Sequence, residues 1–372
     1  MNKLINKGIE YINQYRGWRS DQKIVVFESD DWGAIRTSSN EALEDLRNVG
    51  VEVDRCHYML NDCLESVEDL NSLFGILEKY TDRDGNHPVF TFNTIVGNPD
   101  FKKIEESNYE KYYYKSFLDS YATGDSKRIM ACWEDGIKKG LIYPQFHGRE
   151  HVNIQRWMND LKNGREDTLV AFNHKMFGIS GHIVKEKRPS YLAVFDEKAY
   201  DHDEVEAYNS EGISIFRKVF GFSPKTFIAP NYVWNALVED SARKNGIICM
   251  QGSSTQILPV RMNKNRGVVK NYLGKTSNSG IGYLIRNVVF EPSSDLNKDW
   301  VASALKQVEN AFKNKTPAII DSHRVNYVGT LNPNNRERSL DLLDELIYSI
   351  NKKWPEVKFL HSEKLANTIY EA

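Results

Sequence analysis

Residues 23–33 read Lys-Ile-Val-Val-Phe-Glu-Ser-Asp-Asp-Trp-Gly, a short apolar run that ends in two adjacent carboxylates. An apolar run of this length, rich in β-branched and aromatic residues, has the pattern of a strand. Similar runs recur along the chain at Pro88–Val96, Ile142–His147, Lys225–Ala229, Ile247–Gln251, Asn287–Glu291, Pro317–Ser322 and Lys358–Leu360. Between them lie segments with helical periodicity, among them Ser39–Val49, Ser66–Tyr80, Asn235–Asn245, Trp300–Lys313 and Arg336–Lys353. Strands alternating with helices build β/α units around a parallel sheet, and seven or eight such units suit a closed or nearly closed barrel. The helices form its outer ring.

The rest of the composition narrows the class. The 372 residues carry 49 Lys+Arg against 51 Asp+Glu, with 40% hydrophobic content, the profile of a globular domain. With no basic excess, nucleic acid is not an expected partner. No segment reaches the roughly 18 apolar residues that would span a bilayer. The first 19 residues lack an export-type apolar core and place Leu4, Ile5, Ile9 and Ile12 at helical spacing, so they read as a docking helix. Cys56, Cys63, Cys132 and Cys249 are widely spaced and form no C-x-x-C pair, which fits reduced thiols and a cytoplasmic setting. The chain reads as a single barrel over residues 1–372. About 70 residues, 152–222, exceed what one β/α connection needs and read as an insertion or small subdomain near the site.

Polar residues that directly follow barrel strands lie at the C-terminal rim, where loops converge. Three runs end in this way: Glu28-Ser29-Asp30-Asp31-Trp32-Gly33, His147-Gly148-Arg149-Glu150-His151 and Asp321-Ser322-His323-Arg324. Two His at i, i+4 on one face of a helical turn can aim ring nitrogens at a single cation, and a neighbouring Asp completes a two-His-one-carboxylate set with open positions. Adjacent Asp30 and Asp31 point in different directions, so one can bind the metal while the other takes a proton from metal-bound water. Nitrogen and oxygen ligands of this kind accept one divalent ion: zinc by prevalence, with nickel, cobalt, manganese and iron compatible. Within the insertion, His174, His182 and Asp201-His202-Asp203-Glu204 are further candidates for substrate choice or a second cation.

In this order the motifs resemble the NodB-homology polysaccharide deacetylases, carbohydrate esterase family four, which are metal-dependent hydrolases on a distorted (β/α) barrel. The family's Thr-Phe-Asp-Asp-Gly pattern corresponds to residues 28–33 and its H-x-x-x-H motif to His147 and His151. Its Arg-x-Pro-Tyr motif is similar to Ile228-Ala229-Pro230-Asn231-Tyr232, and its closing Leu-x-His to the strand ending at His323. The tail at Val357–Ala366 resembles the strand and helix that end many members. By this resemblance Asp30 is the catalytic base, His323 the general acid, and Asp31, His147 and His151 the metal ligands. Asn231, Tyr232, Trp32, Trp234, Arg149 and Arg324 are candidate substrate contacts, the aromatics by stacking on a sugar ring.

Three departures stand out. The family's Arg beside the base is replaced by Ile228, leaving Arg149, Arg286 or Arg324 to supply that charge from another strand. The Asp-Trp motif is absent, with Cys249-Met250-Gln251-Gly252 in its place, and Asp321 stands where Leu is expected. The implied activity is removal of acetyl from an N-acetylated or O-acetylated sugar during surface-polysaccharide synthesis. The implied partner is a nucleotide-linked or lipid-linked glycan precursor. The alternative is a carbohydrate-binding or scaffolding protein that keeps barrel and metal without turnover. A glycosidase reading would leave both histidines idle.

Overall fold

The computed structural model describes residues 17–196, 201–260 and 266–371; the docking helix expected at the N-terminus lies outside the described residues. A wholly parallel sheet is formed by β1 (Ile24–Trp32), β2 (Phe90–Ile95), β3 (Ile142–Gly148), β4 (Thr226–Ile228), β5 (Cys249–Gly252), β6 (Gly282–Ile285), β7 (Val288–Val289), β8 (Ala318–His323) and β9 (Lys358–Phe359). Their spatial order is β6-β5-β4-β3-β2-β1-β8-β7, with β9 pairing the start of β1.

The two ends of this order meet through the chain itself. β6 and β7 are separated by Arg286 and Asn287 alone, yet they occupy opposite edges of the sheet. The Arg286 N–H donates to the Gly252 carbonyl on β5 (2.9 Å), and the next N–H, of Asn287, donates to Ile319 on β8 (3.1 Å). One bent strand therefore supplies both edges, and a distorted (β/α) barrel closes at its bend. The expected run 287–291 is the second half of this strand. Its first half, the Gly-Tyr-Leu-Ile of β6, is too short and isolated to stand out in the sequence.

Helices cover the barrel because each carries one apolar stripe. Val67–Leu77, Asp125–Lys138, Trp300–Lys313 and Pro333–Lys353 pack around β1, β2 and β8, burying Leu70, Trp133, Leu343 and Ile347 against Phe27 and Phe90, whose rings stack at 4.9 Å. Each such fully buried side chain contributes about 1.5–3 kcal/mol. Their termini are capped: Ser66 and Asp69 form a reciprocal capping box, and Asp299 accepts from the Ala302 N–H.

After β3, helices Ile154–Lys162 and Glu166–Asn173 and the loop to residue 196 leave the barrel layer. Met176, Ile179 and Ile183 pack with Leu43, Leu46, Val53 and Met59 of the β1–β2 connection, so two long connections share one apolar cluster above the rim. Helix His202–Phe220 instead returns to the barrel and packs on β3. Asp201 and Glu204 form its capping box, which accounts for that acidic cluster.

Candidate active site

Two register breaks aim the site residues. Along β1, Ser29 pairs with Phe92 and Trp32 with Thr94, so three residues on β1 match two on β2. The extra residue is a bulge at Asp30–Asp31, and Asp31 turns into the left-handed region (φ 74°). Along β3, Phe146 pairs with Thr94 and Gly148 with Ile95, a second bulge at His147. Gly148 then adopts φ 128°, where a Cβ would collide with the Tyr208 hydroxyl, and the chain swings His151 back towards His147. The pair converges through a strand end and a bend, not the helical turn expected from its spacing.

Asp31, His147 and His151 each offer one ligand atom within 4.8 Å of the others. Nδ1–H of His147 donates to the Ile228 carbonyl (2.8 Å), which fixes the tautomer and leaves Nε2 with its lone pair towards Asp31 Oδ1 at 3.4 Å. His151 Nε2 lies 3.5 Å from the same oxygen. Burial lowers the His151 pKa to about 3, which keeps its ring neutral, and its Nδ1 is buried without a partner. Two ring nitrogens converge on one carboxylate oxygen, a donor set that fits a divalent ion. Arg36 holds the other oxygen, Oδ2, at 2.9 Å and reaches Asp62 at 3.3 Å.

Asp30 faces a different partner set. Arg286, at the bend that closes the barrel, grips both its oxygens (Nη2 to Oδ1 2.6 Å, Nη1 to Oδ2 2.7 Å), and Asn93 donates to Oδ1 at 2.8 Å. Burial alone would raise this carboxyl, but the Arg286 guanidinium outweighs it and brings the pKa to about 2. The same guanidinium also meets Glu28 (2.6 Å) and Asp321 (2.6 Å), so one cation serves three carboxylates. Burial pushes Glu28, the deepest of the three, above the usual carboxylate range.

His323 completes the pair. Its Nδ1–H donates to Glu291 (2.7 Å), and Nε2 lies 3.7 Å from Asp30. Burial lowers the imidazole pKa, but the Glu291 carboxylate more than reverses this and raises it to about 10. At neutral pH a fixed anion and a proton-carrying cation therefore stand side by side. Asp30, Asp321 and His323 also form a cluster of metal-ligand type, but the Arg286 cation already occupies two of those carboxylates.

These groups open into a cavity of about 460 Å³ shared with Tyr58, His182, Asn231 and Tyr232. Asn231 and Tyr232 both adopt positive φ (56°), and the Tyr232 hydroxyl contacts Arg286 at 3.1 Å. Four proposed substrate contacts do not reach the cavity. Trp32, turned inward beyond the bulge, is fully buried and stacks on Phe92 at 3.6 Å. Trp234 is buried and donates Nε1–H to Glu239 (2.9 Å). Arg149 is buried and pairs with Glu150 and Glu211, over the Tyr114 ring. Arg324 is wholly buried between Asp62 (3.0 Å) and Glu65 (2.9 Å). Of the three arginines that could stand in for the residue missing at Ile228, the structure brings Arg286 alone to Asp30. His174 pairs with Asp45 (2.7 Å) away from the cavity, whereas His182 is exposed on its lining.

Sequence reasoning passed over Glu291. The signal was present, since run 287–291 also ends in a carboxylate, the same criterion that singled out the other three rim strands.

No family model matches this chain, and no curated protein matches it. Among solved structures it is similar to the peptidoglycan deacetylase PdaC of Bacillus subtilis, at 10% identity over 94% of this chain and 92% of that one, TM-score 0.39. It is also similar to a CE4-family pseudoenzyme of Bacillus anthracis, at 11% identity over 93% and 66%, TM-score 0.37. A 4-alpha-glucanotransferase of Thermococcus litoralis gives 10% identity over 93% and 40%, TM-score 0.45. Those three proteins carry different activities, and the likeness does not choose among them.

Proposed function

We propose that this protein is a metal-dependent hydrolase that removes acetyl from an N-acetylated, or O-acetylated, sugar. The observation that carries the reading is the juxtaposition of two sets in one cavity: three convergent acceptors, Asp31, His147 and His151, beside an anionic Asp30 and a cationic His323.

Asp31, His147 and His151 would hold one divalent ion, with zinc the first choice among zinc, nickel, cobalt, manganese and iron. When bound, such an ion polarises an acyl carbonyl and brings the pKa of water towards neutrality. Asp30, held by Arg286 and Asn93, receives the proton of the attacking water. The Tyr232 N–H is committed to the Ala229 carbonyl (3.0 Å), which leaves the Asn231 N–H as the candidate oxyanion donor. His323 passes its Nε2 proton to the departing amine as the carbon–nitrogen bond breaks, giving acetate and a free amino sugar. In this reading Arg286 supplies the charge that Ile228 lacks, which removes the main support for a binding protein without turnover.

A nucleotide-linked or lipid-linked precursor in the cytoplasm is the setting we assign, on the cysteine spacing. Among the described residues no helix is long and apolar enough to cross a membrane. The test is elemental analysis of the purified chain coupled to acetate release from acetylated sugars and nucleotide sugars. One metal per chain with metal-dependent acetate release is expected; bound metal with no release from any acetylated sugar would favour the non-catalytic alternative.

A further inference from the structure

His57 belongs to neither the metal set nor the acid–base pair, yet it lines the same cavity. Its Nε2 is buried and has no hydrogen-bond partner. A buried polar atom left unpaired costs about 1–3 kcal/mol, a cost that a bound ligand can remove.

The backbone beneath it is tied down. His57 opens the short helix His57–Asn61, whose Asn61 side chain donates to the His57 carbonyl (2.9 Å) and accepts from Asn332 (2.9 Å). Thr37 anchors the same turn through its hydroxyl to the Met59 carbonyl (2.7 Å) and its N–H to Asp62 (3.1 Å). Tyr58 meets the His323 ring edge-on at 5.5 Å, so the position of His57 is fixed relative to the acid. With the backbone fixed, only the two side-chain torsions of His57 remain to turn Nε2 towards an occupant of the cavity.

Its charge state is also set. Burial, then the nearby His323 and Arg36 cations, lowers the imidazole pKa to about 4, so the ring is neutral at physiological pH. A neutral imidazole carries one donor and one acceptor, so it can pair with a hydroxyl group in either role. The metal half of the cavity lies on β1 and the end of β3, and His57, on the β1–β2 connection, lines the same cavity near His323 and Arg36.

We propose that His57 is a specificity-determining residue whose Nε2 forms a hydrogen bond with one ring hydroxyl of the acetylated sugar. This rests on the deacetylase reading above. A site built to pair a substrate hydroxyl rejects an analogue that lacks it, because the protein group is then left buried and alone.

The experiment is steady-state acetate release by the metal-loaded full chain. The substrates are N-acetylglucosamine and its monodeoxy analogues, and the proteins are wild type, His57→Phe and His57→Gln. With the parent sugar, His57→Phe is expected to raise KM about tenfold, the scale of one lost hydrogen bond, while kcat changes less than about threefold. His57→Gln, which keeps a donor and an acceptor, restores KM to within about threefold of wild type. For one monodeoxy analogue, wild type and His57→Phe give the same KM, since the bond is already absent. Unchanged KM in His57→Phe, or losses that add for every analogue, would overturn the proposal. Circular dichroism and bound metal monitor folding, and if His57→Phe does not fold, His57→Ala, which also removes the ring nitrogens, completes the cycle against the same analogues. Failure of wild type to release acetate from any acetylated sugar would sink the deacetylase reading itself, and that outcome is visible before any variant is compared.

Discussion

The cavity has two halves, and they are built on opposite plans. The metal-ligand half takes Asp31 from β1, His147 from β3 and His151 from the bend after it, strands separated only by β2, with the three residues encoded within one third of the chain. The acid–base half takes Asp30 from β1, Arg286 and Glu291 from the closing strand and His323 from β8. In the first half, each residue stands where a motif leads one to look. In the second, only the proton-carrying groups do, and the charges that tune them come from elsewhere. Geometry is therefore the stricter requirement for ligands, whereas a tuning charge needs only the right distance and can arrive on any neighbouring strand.

Breaking the first half gives the largest effect. His147→Ala with His151→Ala should reduce bound metal from one per chain to none by elemental analysis. Acetate release should fall at least about 10⁴-fold, with the fold retained by circular dichroism. Retention of stoichiometric metal would break the division of labour drawn here.

Arg286→Met attacks the second half and should show the opposite signature. It leaves Glu28, Asp30 and Asp321 without their shared cation, so denaturant unfolding should show a loss of about 3–5 kcal/mol, the cost of breaking a buried ion pair. Because Asp30 would no longer be held near pKa 2, the loss should be greatest near neutrality and shrink as acid protonates the orphaned carboxylates. Arg286→Lys, a point charge without the planar fork, should recover the fold but only part of the rate.

Glu291→Gln sharpens the comparison further. Below about pH 10 the wild-type His323 holds its proton. Without the carboxylate its pKa falls, and the alkaline limb of kcat should move down towards neutrality. The expected loss is about 10²-fold at pH 9 and small at pH 6, read from a pH–rate profile. Linkage gives a second readout. A folded-state pKa raised above the unfolded value of roughly 6.5 stabilises the protein below that value, and this contribution disappears as pH rises through about 10. In Glu291→Gln that pH-dependent component should be flattened.

The smallest effects should come from the residues that were expected to touch substrate and do not. Trp234→Phe and Arg149→Ala should leave KM within about twofold while costing stability of about 1–3 kcal/mol through lost packing and ion pairs. A tenfold change in KM for either would mean that the cavity extends further than its present lining.

Much of this arrangement can be read from the sequence, and what cannot has physical causes. The parallel strands and outer helices follow from apolar runs and periodicity, which act locally. Asp30, Asp31 and His323 stand out because each follows an apolar run, and His147 and His151 because an H-x-x-x-H pair begins where such a run ends. Trp32 follows a strand too, but the bulge at Asp30–Asp31 shifts the side-chain alternation and sends it into the core. A one-residue slip of this kind reverses every subsequent side chain, and no local pattern announces it. Arg149 and Arg324 carry charges that suit a site, but each found carboxylates first: Arg149 the adjacent Glu150 and the distant Glu211, and Arg324 Asp62 and Glu65, 262 and 259 residues away, a pairing that leaves no trace in spacing.

The bend at Arg286–Asn287 gives this protein a particular order of assembly. β1, β2 and β3 are adjacent and all lie within the first 148 residues, so the strands that carry the candidate ligands precede the rest of the barrel, while the Ile228 carbonyl that orients His147 follows on β4. The counter-ion of Asp30 and the partner of His323 come together only when residues 282–291 span the gap between β5 and β8. In the proposed reading, shutting the seam and completing the acid–base pair are one event: a chain with an open seam would lack the Arg286 and Glu291 partners that tune Asp30 and His323.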